Sequence, residues 1–228
     1  ANQEKFGAAY GHPIDLEVGI TKVTALDQCG QEIRAMLIDG ENTVVTDPDR
    51  AHCEHALRSL DHLVVIDIFL TDTAKLADVV FPATAWGETD GVCTNTERRV
   101  QRLRAAVPPA GGEDGAKPDW WIISQIAKRC GIPGFDFGSA EEVFNELCSL
   151  SLTYGGLDWD RIDKGEYHWP VPHKDHPGTP VLHRDEFING RGIFKLIRYR
   201  DPAEVVNDEF PVWLTTGRRL QSYHSRTQ

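Results

Sequence analysis

The chain has 228 residues, enough for one large domain or two small ones with a core that removes most of the apolar surface from water. Lys and Arg number 24 against 35 Asp and Glu, and the formal charge of −11 argues against nucleic acid or an anionic membrane as a general partner. No apolar run nears the roughly 20 residues of a membrane-spanning helix, and residues 1–6 lack the apolar core of a signal peptide, so the expectation is a soluble protein without a transmembrane segment.

Five widely spaced cysteines, at 29, 53, 93, 130 and 148, suggest no disulfide framework and fit a reducing compartment, the cytoplasm. With no Cys-x-x-Cys, the chain carries neither a zinc ribbon nor a ligand run for an iron–sulfur cluster.

In chain order, residues 33–38 read as a short buried strand ending at the turn Asp39-Gly-Glu-Asn42. A helix is expected next, with Asp47 as N-cap, Pro48 in the first turn, and Cys53, Ala56, Leu57 and Leu60 on one apolar face. Leu63-Val-Val-Ile66 is the short β-branched run of a parallel strand covered on both faces. Strand, helix and strand make a βαβ unit, so the fold class is α/β with a parallel sheet.

Residues 71–77 predict a further short helix and 79–81 a third strand closed by Pro82. Residues 98–104 look extended, and the Pro/Gly-rich stretch 108–115 reads as a loop or domain edge. Ile122, Ile123, Ile126, Ala127 and Cys130 form the apolar face of a helix stopped by Gly131. Ser139-Ala-Glu-Glu142 is a capping box opening another helix, with Val143, Phe144 and Leu147 inward. Residues 154–192, rich in Gly, Pro, His and Asp, are expected to be mostly irregular, and strand character returns at Phe210-Pro-Val-Trp-Leu-Thr215.

In open α/β sheets, ligands bind beyond the carboxyl ends of the strands. Gly40, Glu41, Asn42 and Asp67 occupy such ends. An aspartate at that position can accept two hydrogen bonds from a guanine edge or a ribose, or it can simply cap the segment after the strand. Arg98, Arg99, Arg102 and Arg104 put four guanidiniums into seven residues. In one strand 98, 102 and 104 share a face, with either a pyrophosphate or an internal carboxylate such as Glu97 as partner, or the run forms a solvated edge. His52, Cys53 and His55 make a poor metal site because Cys53 belongs to the apolar stripe, and the histidines at 168, 173, 176 and 183 lie in a loop as solvated side chains.

The run from Asp67-Ile-Phe-Leu-Thr-Asp-Thr-Ala-Lys-Leu-Ala-Asp78 through Trp86-Gly-Glu-Thr-Asp-Gly91 to Thr94-Asn-Thr-Glu-Arg-Arg-Val-Gln-Arg102 resembles the catalytic subunit of molybdopterin-dependent formate dehydrogenases of the dimethyl sulfoxide reductase family. Gly40-Glu-Asn42, Lys117-Pro-Asp-Trp120 and Phe210-Pro-Val-Trp-Leu-Thr-Thr-Gly-Arg218 extend the resemblance, which is nearest to the formate hydrogenlyase-linked type. It implies formate as substrate, electron-transfer subunits as partners, and molybdenum or tungsten held by a bis-(molybdopterin guanine dinucleotide) cofactor. A [4Fe–4S] cluster is implied in the intact subunit, its ligands outside this chain.

Carried over by position, the resemblance makes Asp67 and Thr71 contacts to one guanine dinucleotide, with Gly40, Glu41, Asn42 and Gly91 lining the pocket and Arg98 near it. Arg218, Ser222 and His224 would belong to the start of a C-terminal pterin-binding β-barrel. Asp39 stands where the family usually has an apolar residue. No cysteine here precedes a histidine as the family's metal ligand does, so no catalytic or metal-binding residue is assigned, and an internal segment of a longer subunit is expected. The implied organisation is an α/β cofactor-binding segment at 1–110, a helical and irregular link at 111–205, and the start of the barrel at 206–228. Another oxidoreductase of the family, such as a nitrate reductase or the large subunit of NADH dehydrogenase, and a scaffold that has lost the metal are the rival readings.

Overall fold

The computed structural model describes residues 2–187, 189–215 and 217. It divides into two units, 1–180 and 181–228.

The first unit opens with α1 (Asn2–Tyr10) and α2 (Lys22–Asp27). A βαβ unit follows: β1 (Ala35–Asp39), the four-residue α3 (Thr43–Thr46), α4 (Arg50–Arg58) and β2 (His62–Asp67). A 3-10 turn over Ala74–Leu76 leads to β3 (Val79–Pro82). The three strands form one parallel sheet in the order β1-β2-β3. The α4 cap differs from the expectation: Asp49, not Asp47, accepts the His52 N–H at 3.1 Å. Asp47 instead pairs with Lys22 of α2 at 2.7 Å, so its carboxylate is already committed.

Parity along the strands sorts the side chains between two layers. Met36 and Ile38 of β1, Leu63 and Val65 of β2 and Val80 of β3 face α4, where they pack with Cys53, Ala56 and Leu57. Ile66 and Phe81 project from the other face against Ile122 and Ile126 of α5 (Asp119–Arg129). A one-residue slip in any strand would swap these sets between layers.

The rest of the first unit surrounds an antiparallel sheet. β4 (Gly91–Thr94) pairs with β5 (Arg99–Leu103), which pairs with β6 (Tyr167–His168). Its core is Val100, Phe144 and Cys148 of α6 (Ala140–Leu150), Leu157, Ile162 of α7 (Trp159–Lys164) and Val171, ringed by Tyr154, Trp159, Tyr167 and Trp169. Residues 154–180 are therefore ordered by packing despite their composition. Gly156 shows how tightly: a Cβ there would lie 2.1 Å from the His173 carbonyl oxygen, so the strap at 171–173 excludes any larger residue.

Two further expectations need correction. In α6 the buried stripe is Phe144 and Cys148, and Leu147 is 49% exposed, because the buried arc runs from Phe144 toward Cys148 and Leu147 lies on the opposite side of Phe144. In the second unit, residues 210–215 form no strand among the described residues, since strand propensity alone supplies no neighbour to pair with. The start of a barrel therefore has no support in the described residues, and Arg218, Ser222 and His224 lie outside them.

Phe144→Ala is expected to cost about 3–5 kcal/mol of stability, and Leu147→Ala less than about 0.5 kcal/mol. Denaturant unfolding of the two variants checks this, and equal losses would return Leu147 to the core.

Candidate functional site

The carboxyl edge of the parallel sheet gathers the loops after β1, β2 and β3. At the end of β1, Gly40 takes φ +62°, a left-handed conformation that glycine adopts without Cβ strain, and donates its N–H to the Ile66 carbonyl at 2.9 Å. Asn42 Oδ1 then accepts both the N–H and the hydroxyl of Thr73, at 3.2 and 3.0 Å, and the Thr73 hydroxyl accepts the Val44 N–H at 3.0 Å. Thr73 is fully buried, so this bond set ties the loop after β1 to the loop after β2 out of reach of water. Glu41 points elsewhere, accepting from Lys22 Nζ at 3.0 Å and the Thr46 hydroxyl at 2.8 Å.

Asp67 ends β2 and is only 6% exposed. Its Oδ1 accepts the Phe69 N–H at 3.0 Å, an Asx-turn that folds the backbone back on the carboxylate. Among the described residues, no donor meets Oδ2. That oxygen is not among the buried atoms left without a partner, so it is open to an occupant of the edge. The same turn throws Ile68, Phe69 and Leu70 outward, three consecutive apolar side chains that are 45–65% exposed. Thr71 is buried behind them, with its hydroxyl accepting the Ala74 N–H at 3.1 Å.

Two more carboxyls belong to this edge. Partial burial first, and then the charge of Asp67, holds Asp39 above the usual carboxylate range. Asp119, in the first turn of α5, is also raised, by desolvation first and then by Asp39, with its own backbone N–H opposing and Asp67 adding a further push. Asp119 carried no role in the sequence reading, although Lys117-Pro-Asp-Trp120 has the Pro-Asp signature of a helix start. What the sequence withheld is that the chain entering this helix pairs with the chain leaving β3, the Lys117 N–H donating to the Pro82 carbonyl and the Thr84 N–H to the Lys117 carbonyl, both at 3.1 Å. Thr84, two residues beyond β3, adds a buried hydroxyl without a hydrogen-bond partner among the described residues.

The remaining candidates are elsewhere. Gly91 starts β4 in the antiparallel sheet, where its carbonyl accepts from Arg102 at 3.0 Å. Arg98 precedes β5 with φ +67° and donates to the carbonyls of Trp169, Thr179 and Pro180. The other arginines also have internal partners: Arg99 has Glu97 and Glu166, while Arg102 and Arg104 both reach Asp163. Arg102 also stacks on Trp159 with its guanidinium carbon 3.6 Å from the ring centre. The expected shared face of 98, 102 and 104 fails at Arg98, which sits in the turn rather than the strand.

A buried acceptor at a strand end, cross-braced loops and a rim of apolar side chains lie together at the carboxyl edge of the parallel sheet, the edge at which open α/β domains bind ligands. The pattern of the molybdopterin oxidoreductases matches residues 5–129, more than half of the chain, and the chain belongs to that family. An F420-dependent formate dehydrogenase subunit alpha from Methanocaldococcus jannaschii is 46% identical over 212 residues, covering 92% of this chain and 31% of that protein. Formate dehydrogenase H from Escherichia coli is 34% identical over 235 residues, covering 100% of this chain and 32% of that protein. The chain thus spans about a third of the length of these relatives. Among solved structures, acetylene hydratase from Pelobacter acetylenicus shares the fold, with a TM-score of 0.53 at 22% identity over 75% of this chain and 24% of that one.

The raised carboxyls give the edge a pH signature. A folded value above the unfolded one means that Asp39 and Asp119 stabilise the fold when protonated, a contribution lost as pH rises from about 4 through the raised value. Asp39→Asn is therefore expected to melt higher than the parent at neutral pH, the gap closing below about pH 4. Melting curves across that range test the coupling, and a gap independent of pH refutes it.

Proposed function

We propose that this chain is the part of a formate dehydrogenase alpha subunit that holds the guanine end of one molybdopterin guanine dinucleotide at the carboxyl edge of its parallel sheet. The observation that carries the reading is Asp67, a buried carboxylate with one oxygen capped by the Phe69 N–H and the other without a donor. A guanine edge offers adjacent N–H donors that suit that oxygen, and its flat face suits the apolar rim of Ile68, Phe69 and Leu70.

In this reading Asp67 binds the base and Thr71 holds the turn that aims it. Gly40 and Asn42 shape the neighbouring loop, and Glu41 anchors that loop to α2. Asp119 belongs to the same edge and joins Asp67 as an acceptor. Gly91 and Arg98 take an indirect part, through the sheet that carries them, while Arg218, Ser222 and His224, outside the described residues, are pterin contacts by the resemblance alone. The resident group would be a bis-(molybdopterin guanine dinucleotide) of molybdenum or tungsten, and when bound in the intact subunit it supplies the oxidation of formate to carbon dioxide. A [4Fe–4S] cluster, electron-transfer subunits and a cytoplasmic location complete the proposal. The support is twofold: relatives named as formate dehydrogenases at up to 46% identity, and a donor set that fits the base.

Asp67→Asn in the full-length subunit is nearly isosteric but replaces an acceptor with an N–H facing the base donors. It is expected to weaken retention of the dinucleotide by about 1.5–3 kcal/mol, roughly ten- to hundredfold, with little change in melting temperature of the nucleotide-free protein. Guanine nucleotide released on denaturation is the readout. Full occupancy together with a lowered melting temperature would leave Asp67 a structural cap.

A further inference from the structure

The outer side of α5 carries a feature that the nucleotide edge does not use. Ile122 and Ile126 turn inward to Ile66 and Phe81, while Trp121, Gln125 and Arg129, spaced i, i+4 and i+8, line up on the neighbouring stripe. That stripe, the end of β3 at Phe81 and Pro82, and the loop entering the helix enclose a groove of about 400 Å³. Its floor is apolar, but a cation stands toward each end. Lys117 lies over Trp121 in the first turn of the helix, its Nζ 5.7 Å from the ring centre, and Arg129 is the last helical residue.

Neither cation meets a carboxylate among the described residues. Lys117 Nζ donates to the Glu113 carbonyl, and Arg129 Nη1 donates to the backbone and side-chain oxygens of Gln125 at 3.1 and 2.9 Å. Arg99, Arg102 and Arg104 of the same acidic chain all end on carboxylates, so two cations left to neutral oxygens beside an apolar groove suit an incoming negative charge. Asp114 also borders the groove, yet it is exposed and pairs with neither cation. Trp121 is 37% exposed, and Trp and Arg are the residue types on which binding energy concentrates at protein interfaces. From Trp121 to Arg129 the helix rises roughly 12 Å, so one small anion does not serve both ends, whereas an extended peptide covers that distance in about four residues. α4, the sheet and α5 already make three layers, the usual limit of one domain, and the outer side of α5 therefore faces a neighbour from beyond it. In the proposed reading that neighbour is a further subunit of the enzyme.

We infer that the Lys117–Trp121–Arg129 groove is the docking site of a partner subunit, which lays an extended acidic segment along α5 with apolar side chains against Trp121 and Phe81 and a carboxylate on each of Lys117 and Arg129. The inference rests on the reading of the chain as part of the alpha subunit of a formate dehydrogenase with more than one subunit.

Gln125→p-benzoylphenylalanine in the full-length alpha subunit, assembled with its native partners, is irradiated and the cross-linked peptide identified. Expected is a peptide of a second subunit with Asp or Glu within a few residues of the linked position. Arg129→Gln, alone and together with Lys117→Gln, is then compared with Arg129→Lys for association of the purified subunits. The doubly neutral variant is expected to bind the partner roughly tenfold more weakly at low ionic strength, the difference fading at about 0.5 M salt, while Arg129→Lys stays within about twofold of the parent. Arg129 is exposed, so its two single variants carry the comparison if Lys117→Gln loosens the loop that its side chain ties to Glu113. A cross-link confined to the alpha subunit, no cross-link at all, or association that ignores the charge at position 129 overturns the inference. Formate-dependent dye reduction and bound guanine nucleotide are measured on the same preparation. A loaded, active enzyme with an empty groove defeats this inference alone. An enzyme whose groove holds the second subunit but that lacks nucleotide and formate oxidation defeats the proposed function alone.

Discussion

The pairing of β2 with a parallel neighbour on each side is the constraint on which the rest of the first unit depends. Leu63, Val65 and Ile66 are almost wholly shielded from water, so they hold α4 on one face and α5 on the other. At about 25 cal/mol per Å² of apolar surface, burial of such side chains contributes roughly 1.5–3 kcal/mol each. That sum fixes the register, and the register fixes where the strand stops. Asp67 is a site candidate because the apolar run ends there, leaving a carboxylate at the boundary between core and solvent.

The elements with regular apolar periodicity were legible in the chain itself. β1, β2, β3, α4, α5 and α6 all carry spacing that a packed face imposes, and their existence follows from it. Caps were less so: Asp47 and Asp49 flank the same Pro48, and only the ion pair of Asp47 with Lys22 decides between them. α2 and α7, of six residues each, bury too few side chains to leave a period, and residues 154–180 are ordered by aromatic packing around Trp159, Tyr167 and Trp169 rather than by any repeating pattern. Residues 210–215 show the converse, a strand-like sequence that forms no strand among the described residues.

The site was readable in the same uneven way. Asp67 announces itself as a charge after four apolar residues. Asp39 and Asp119 do not, since their relation comes from sheet register and from the point where α5 begins. The arginine cluster erred in the other direction. Sequence shows charge but not partner, and in a protein with net charge −11 a guanidinium finds carboxylates and carbonyls of its own chain. Arg98 is the clearest instance: its backbone adopts a left-handed turn that points its fork at three carbonyls, a better match in donor count than any single carboxylate.

One backbone turn joins the chemistry of the edge to its shape. For the Phe69 N–H to cap Asp67, and for Thr71 to return its N–H to the Phe69 carbonyl at 2.9 Å, the chain must reverse within a few residues. A reversal that tight cannot send Ile68, Phe69 and Leu70 back into a core already filled by Ile66 and Ala83, so they project into solvent. The exposed apolar rim is thus a by-product of capping the carboxylate, and it gives the edge what a recognition site needs: a few oriented polar groups beside a surface that gains by leaving water. Asp39 and Asp119 add a bias in sign. The charge of Asp67 acts on both and that of Asp39 on Asp119, which favours an occupant that brings N–H donors or positive charge.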